Sequence, residues 1–162
     1  MSSGVSFTEN TSNFDALVKD HSELKKIEAF IGILGQKASK NHQGSPLSNV
    51  QVGEVHEFGA PGANIPERSF LRQAMDSNPN KVTKFLIEAY LSVLDGISAD
   101  KAMKIVGERC RGLVLEQFKE GGDPSWPDIK EATKRRKGSD AILIDTGQLR
   151  ASIQSETRKR GF

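Results

Sequence analysis

The sequence predicts an α+β fold: an antiparallel two-helix hairpin packed on a small, mostly antiparallel β-sheet, with long loops. Three observations carry this expectation. From Asn78 to Gly122, apolar residues recur at helical spacing in two consecutive runs, separated by a short break at Gly96, Ile97 and Ser98. From Ile27 to Leu34 the pattern alternates with a period of two. From 35 to 49, Lys, Ser, Asn, Gly and Pro dominate and neither period is present.

The first twelve residues are rich in Ser, Thr, Asn and Gly and read as a flexible N-terminus. Ser12 or Asn13 can cap a short helix carrying Phe14, Leu17, Val18 and Leu24. In the strand that follows, Ile27, Ala29, Ile31 and Ile33 share one face, and much of the other face is apolar too. The 35–49 loop is long for a compact domain, a property of functional or mobile segments. Val50 to Phe58 fits a strand or a short helix. The helix is favoured, because Ser48 and Asn49 can cap it and Gly59 can end it. Gly59 to Asn64 is a turn, Ile65 is pushed to extended backbone by Pro66, and Phe70, Leu71 and Met75 are anchors onto the hairpin.

The hairpin opens with Asn78 as N-cap and Pro79 at the first helical position. Its first helix carries Val82, Phe85, Leu86, Ala89, Val93 and Leu94 on one face. The second starts at Ser98 and Asp100 and carries Ala102, Ile105, Val106, Cys110, Leu113, Val114 and Phe118, until Gly121 and Gly122 stop it. Two helices cannot bury both stripes between themselves, so the rest of the chain must cover them. Trp126, between two prolines, reads as a buried plug. Residues 128–137 form a short basic helix ended by Gly138 and Ser139. Residues 141–144 are apolar, and 145–153 form a capped turn running into a short helix or a final strand. The end of the chain, 154–162, is a sheet-edge strand or disordered. The domain organisation is therefore a flexible 1–12, a single α+β domain over 13–158, and a tail at 159–162.

Composition narrows function mainly by exclusion. The chain of 162 residues has the length of one domain, and 36% hydrophobic content implies a small core. A formal charge of +2 demands neither nucleic acid nor membrane. One cysteine, Cys110, cannot form an internal disulfide. No basic region followed by an apolar run marks a signal peptide, and no stretch is apolar enough to span a bilayer. His56-Glu57 would start a zinc-protease motif only with a second His at position 60, which is Ala; His21 and His42 lie in unrelated stretches. Gly-Ala-Pro-Gly at 59–62 lacks the Lys-Ser/Thr of a phosphate loop. Cys110 has no local base and sits on a core face, and Asp145 and Thr146 are better read as helix caps than as catalysts. No nucleophile–base–stabiliser set is present, so neither an enzyme nor a cofactor or metal is expected. Lys134, Arg135, Arg136 and Lys137, with Arg158, Lys159 and Arg160, are candidates for contact with DNA or an acidic partner. No aromatic residues interleave them, and a solvated face or a protein contact is favoured.

Three blocks together resemble a known family: His56-Glu57-Phe58-Gly59, then Ile65 to Arg72 (IPERSFLR), then Leu143 to Ile153 (LIDTGQLRASI). In this order, with a helical hairpin between the second and third, they are similar to the tailed-bacteriophage virion-morphogenesis family of neck, head–tail joining and tail-completion proteins. The resemblance covers residues 25–158. It implies a non-enzymatic α+β subunit that closes into a ring, a hexamer favoured over a dodecamer, in the neck of the virion. Its partners would be copies of itself, adjacent neck, connector or tail-terminator proteins, and double-stranded DNA passing without sequence readout, with no membrane. The inter-subunit or structural residues it points to are His56, Glu57, Phe58, Arg68, Phe70, Arg72, Trp126, Asp145, Thr146, Gly147, Leu149 and Arg150. Phe58 and Phe70 would be anchors in the core or between subunits. Arg68 and Arg72 would clamp carboxylates of a neighbour or stand solvated. Asp145 or Thr146 would cap the segment that returns Leu149 and Ile153 to the core, and Gly147 would take a backbone angle other residues avoid. The alternative is a small DNA-binding or packaging accessory protein that uses the basic segments.

Overall fold

A helix, α1 (Thr11–Leu24), leads into strand β1 (Ile27–Ile33), whose antiparallel partner β2 (Ile153–Lys159) lies near the other end of the chain. The computed structural model describes residues 11–122, 125–138, 140–143 and 147–161. The side chains of Phe14 and Leu17, residues 123–124, and Ile144, Asp145 and Thr146 lie outside that description. Helix α1 already includes Thr11 and Ser12, which the sequence places in a flexible N-terminus; residues 1–10 lie outside the described residues.

The sheet has two strands, in register from Ile27 opposite Lys159 to Ile33 opposite Ile153. As the alternation predicts, Ile27, Ala29, Ile31 and Ile33 pack against the core. Phe30, on the opposite face, lies 4.6 Å beneath the Arg158 guanidinium. The predicted tail boundary at 159 does not hold. Lys159 is still paired with Ile27, and the Arg160 amide donates to the Lys26 carbonyl at 2.6 Å.

The 35–49 segment is bound to its own chain. It begins with a 3-10 turn, Gly35–Lys37, and closes through a bridge between Asn41 and Ser48. Asn49 explains its order. This residue is only 2% exposed; its Nδ2 donates to the Lys37 carbonyl, and its Oδ1 accepts from Gln148 Nε2. The following helix, α2 (Asn49–Phe58), starts with a complete capping box between Ser48 and Gln51 and ends at Gly59, where φ is 73°. A second 3-10 turn, Pro61–Ala63, leads to extended backbone and then to α3 (Arg72–Asp76), a short helix that has too few residues to show a period.

Helices α4 (Pro79–Leu94) and α5 (Ala99–Glu120) follow. Arg109 of α5 pairs with Glu88 and lies over the Phe85 ring of α4, so the chain reverses between them. Ser98 caps α5, and Gly121 ends it in the left-handed region. Asn78 does not cap α4 with its side chain; its Nδ2 turns back to the Ala74 carbonyl at 3.0 Å. The predicted α4 face is also too wide. Ala89 and Val93 are buried, but Leu86 and Leu94 are exposed, and so is Ile105 on α5. The small side chain of Ala89 sits in the core, and the flanking leucines turn outward.

Beyond α5, Trp126 is buried, as its setting predicts. A basic helix, α6 (Glu131–Lys137), ends at Gly138. Both alternatives for the last block are realised in succession: α7 (Gln148–Ser152) runs directly into β2. The N-cap position of α7 is Gly147, at φ 74°; the expected caps, Asp145 and Thr146, lie outside the described residues.

The core has two adjoining parts. Phe70, Ala74, Leu113, Val114, Phe118, Trp126, Leu149 and Ile153 form one. Ala89, Val93, Ala99, Ala102, Met103, Val106 and Cys110 form the other. Helix α5 supplies residues to both, and Ile31, Met75, Val82 and Phe85 pack against both.

Candidate functional site

The second and third sequence blocks meet in one core with the C-terminal half of α5, and the first block is joined to the second through Glu57. Phe70 from the second block is fully buried against Phe118, ring centres 5.1 Å apart. Leu149 from the third block belongs to the same core, and α7 packs against α2 of the first block.

Glu57 joins the first two blocks. It is buried near the end of α2 and receives the Ser69 hydroxyl at 2.5 Å, the Leu71 amide at 2.9 Å and the Arg72 amide at 3.0 Å. Helix α3 has no side-chain cap from its own N-cap residue, Leu71. The Glu57 carboxyl group takes that role from a distance in sequence and satisfies amides that the helix start leaves without partners. His56, its neighbour, accepts the Arg68 amide at its carbonyl, 2.7 Å away. Among the described residues no group of His, Cys, Asp and Glu is arranged to hold a metal ion.

Arg68 turns inward rather than toward another subunit. It is 5% exposed, and its guanidinium donates to the carbonyls of Pro127 (2.9 Å) and Asp128 (3.0 Å). Burial pulls its pKa down, and the nearby Asp128 charge opposes that shift. Arg68 therefore straps the chain after α5 onto the second block. Trp126 adds a second strap: its indole N–H donates to Gln73 Oε1 at 2.6 Å, and its ring meets Phe118 edge-on. Gly122 lies directly against the indole, where any Cβ would overlap the ring. Arg72 is exposed and pairs with Glu67 of its own chain. Phe58 is 63% exposed and takes no part in the core, because it ends α2 on the side away from Gly53 and Glu57.

Three of the five basic candidates that the structure describes are paired with carboxylates. Lys134 pairs with Asp128 and Glu131, Arg158 with Glu156, and Arg160 with Glu28. The Lys134 hydrogen bond holds the Asp128 carboxyl below its usual range, helped by the Ile129 amide. Arg135, Lys159 and Arg150 are exposed; the side chains of Arg136 and Lys137 lie outside the described residues, as do Asp145 and Thr146. Arg150 lines an open groove together with Lys37, Glu108 and Arg111.

Ser69, Gln73 and Gln148 are given no individual role by the sequence, and Asn49, read there as a candidate cap of α2, instead holds the 35–49 loop. Polar residues of this kind carry no periodic signal, and each is recruited by a partner remote along the chain. No helix among the described residues is long and apolar enough to cross a membrane. No family model matches the chain, and no curated protein or solved structure matches it significantly.

Proposed function

We propose that this protein is a non-enzymatic structural subunit of a tailed-phage virion. It closes into a ring in the neck, hexameric in preference to dodecameric, through which the genome passes. The observation that carries this reading is the joining of the three resembling segments: Glu57 on Ser69, Leu71 and Arg72, α7 on α2, and Phe70 with Leu149 in one core with Leu113 and Phe118. Segments that carry the resemblance but are far apart in sequence work together as one unit. Arg68, Trp126 and Glu57 are spent on the subunit's own integrity. The surface left for neighbours includes Phe58, Arg72 and Arg150. A small domain with distinct exposed faces suits heterologous contacts, which close into rings when the rotation permits.

Electron microscopy of virions labelled on this protein, with native mass measurement of the purified assembly, tests the reading. The expected result is a ring at the head–tail junction. Label on the tail tip or the capsid lattice, or none in the virion, overturns it. The alternative, a DNA-binding or packaging accessory protein, predicts tight DNA binding that falls steeply with salt. The pairing of Lys134, Arg158 and Arg160 with carboxylates weighs against that outcome.

A further inference from the structure

The outward face of α4 is apolar along its C-terminal half. Leu86, Ile87, Tyr90, Leu91 and Leu94 expose between 38% and 54% of their surfaces. At 100° per residue they occupy one continuous arc beside the buried Ala89 and Val93 stripe. Helix α1 borders this arc: the His21 ring meets Tyr90 edge-on at 5.3 Å, and Val18 adds a further exposed apolar side chain. Five large side chains side by side form a contiguous patch of the kind that marks a contact surface.

The order of residues on this face identifies its occupant. Thr83, Ile87, Tyr90 and Leu94 are spaced four, three and four apart, the seam spacing of two helices packed along each other. Lys84 and the exposed Asp95 lie on the same flank of that seam, near its two ends. Glu88 is held mainly by Arg109 of α5 and makes only a long pair, 4.0 Å, with Lys84, whose side chain stays 75% exposed and within reach of a partner. If a second α4 lies antiparallel, Ile87 of one copy meets Tyr90 of the other and Thr83 meets Leu94. The same register brings Lys84 opposite Asp95, and the two-fold axis makes that pair twice. A parallel two-fold would put the Lys84–Asp95 flanks of the two copies on opposite sides of the seam, and the pair would not form. The face is thus self-complementary in both its apolar seam and its charge.

We infer that α4 is a contact surface for a second copy of this chain, packed antiparallel about a two-fold axis through the Ile87–Tyr90 layer. This does not rest on the neck reading. In a closed ring, a contact of this symmetry joins two rings face to face.

Sedimentation velocity on the full chain over a wide concentration range provides the test, with thermal melts as the folding control. The wild type is expected to show a reversible monomer–dimer equilibrium. Ile87→Glu should weaken it by at least about tenfold while the melting temperature stays close to wild type, since the side chain is exposed in the single subunit. Lys84→Glu should also weaken it, and Lys84→Glu combined with Asp95→Lys should recover it. A wild type that stays monomeric throughout overturns the proposal. So does a dimer that survives Ile87→Glu, or a double variant that associates no better than Lys84→Glu alone. If α4 instead binds a different virion protein while the free chain remains monomeric, the face belongs to that protein and the proposal fails. None of these outcomes alters where a label appears on the virion, so the two readings fail separately.

Discussion

Glu57 satisfies three donors at once, and they belong to the segment that delivers Phe70 to the core. Glu57→Ala would leave the Leu71 and Arg72 amides and the Ser69 hydroxyl without this acceptor. A loss of about 2–4 kcal/mol is expected, read as a drop in the urea midpoint. Glu57→Gln keeps one acceptor oxygen and should cost less; equal losses from the two variants would show that the acceptor geometry does not matter. Cys110 illustrates the opposite case, a reactive group silenced by its setting. Burial raises its thiol pKa, so less thiolate is present at any given pH than for a free cysteine. At pH 8 a thiol reagent should label it only as fast as the chain opens, and promptly once denaturant passes the midpoint. Rapid stoichiometric labelling of the folded protein would mean that Cys110 is accessible.

Helix α5 is the element that the others depend on. Its N-terminal half lines one part of the core with Ala102, Met103 and Val106, and its C-terminal half lines the other with Leu113, Val114 and Phe118. Leu113 is 5% exposed and lies where α5 meets the segments joined by Glu57. Leu113→Ala should destabilise the protein by about 2–5 kcal/mol, through lost transfer free energy and a residual cavity. Leu113→Met conserves volume and should cost less than about 1.5 kcal/mol. An unchanged denaturation midpoint for Leu113→Ala would show that this face is not packed as described. Helix α4 differs in kind, since its apolar residues outnumber the positions that α5 can cover and the surplus is left on the surface.

At the scale of the whole molecule, the two parts of the core share α5 and the four residues Ile31, Met75, Val82 and Phe85. Sheet pairing of β1 with β2 also ties residue 27 to residue 159. Neither part can open without exposing the other, so the chain should unfold in a single transition. Val106→Ala in one part and Leu113→Ala in the other should shift the same midpoint, seen alike by circular dichroism and by Trp126 fluorescence. Two separated transitions, with Trp126 reporting only one, would show that the parts are independent. The same architecture holds the 35–49 loop through Asn49 and pairs β2 within the subunit, so the proposed ring would not have to supply order to these segments. It would only have to provide contacts between surfaces already formed.

What the sequence by itself determined is what local chemistry can specify. Period and caps located α4 and α5, alternation located β1, the Ser48–Gln51 box and Gly59 delimited α2, and two prolines with a single Trp marked the plug at 126. In each case the information lies within a few residues, where hydrogen-bond geometry and side-chain direction act. The tertiary structure alone decided which apolar residues are covered. Leu86, Leu94, Ile105 and Phe58 share the composition of a core face but find no surface opposite them. It also decided the fate of the polar residues. Arg68 was as consistent with a neighbouring subunit as with the Pro127 and Asp128 carbonyls, Glu57 as consistent with a surface as with the start of α3, and 153–159 as consistent with a loose end as with a strand. Their partners lie 12 to more than 100 residues away in the chain. Which of them meet depends on how α5 gathers the other elements, and no local pattern encodes that.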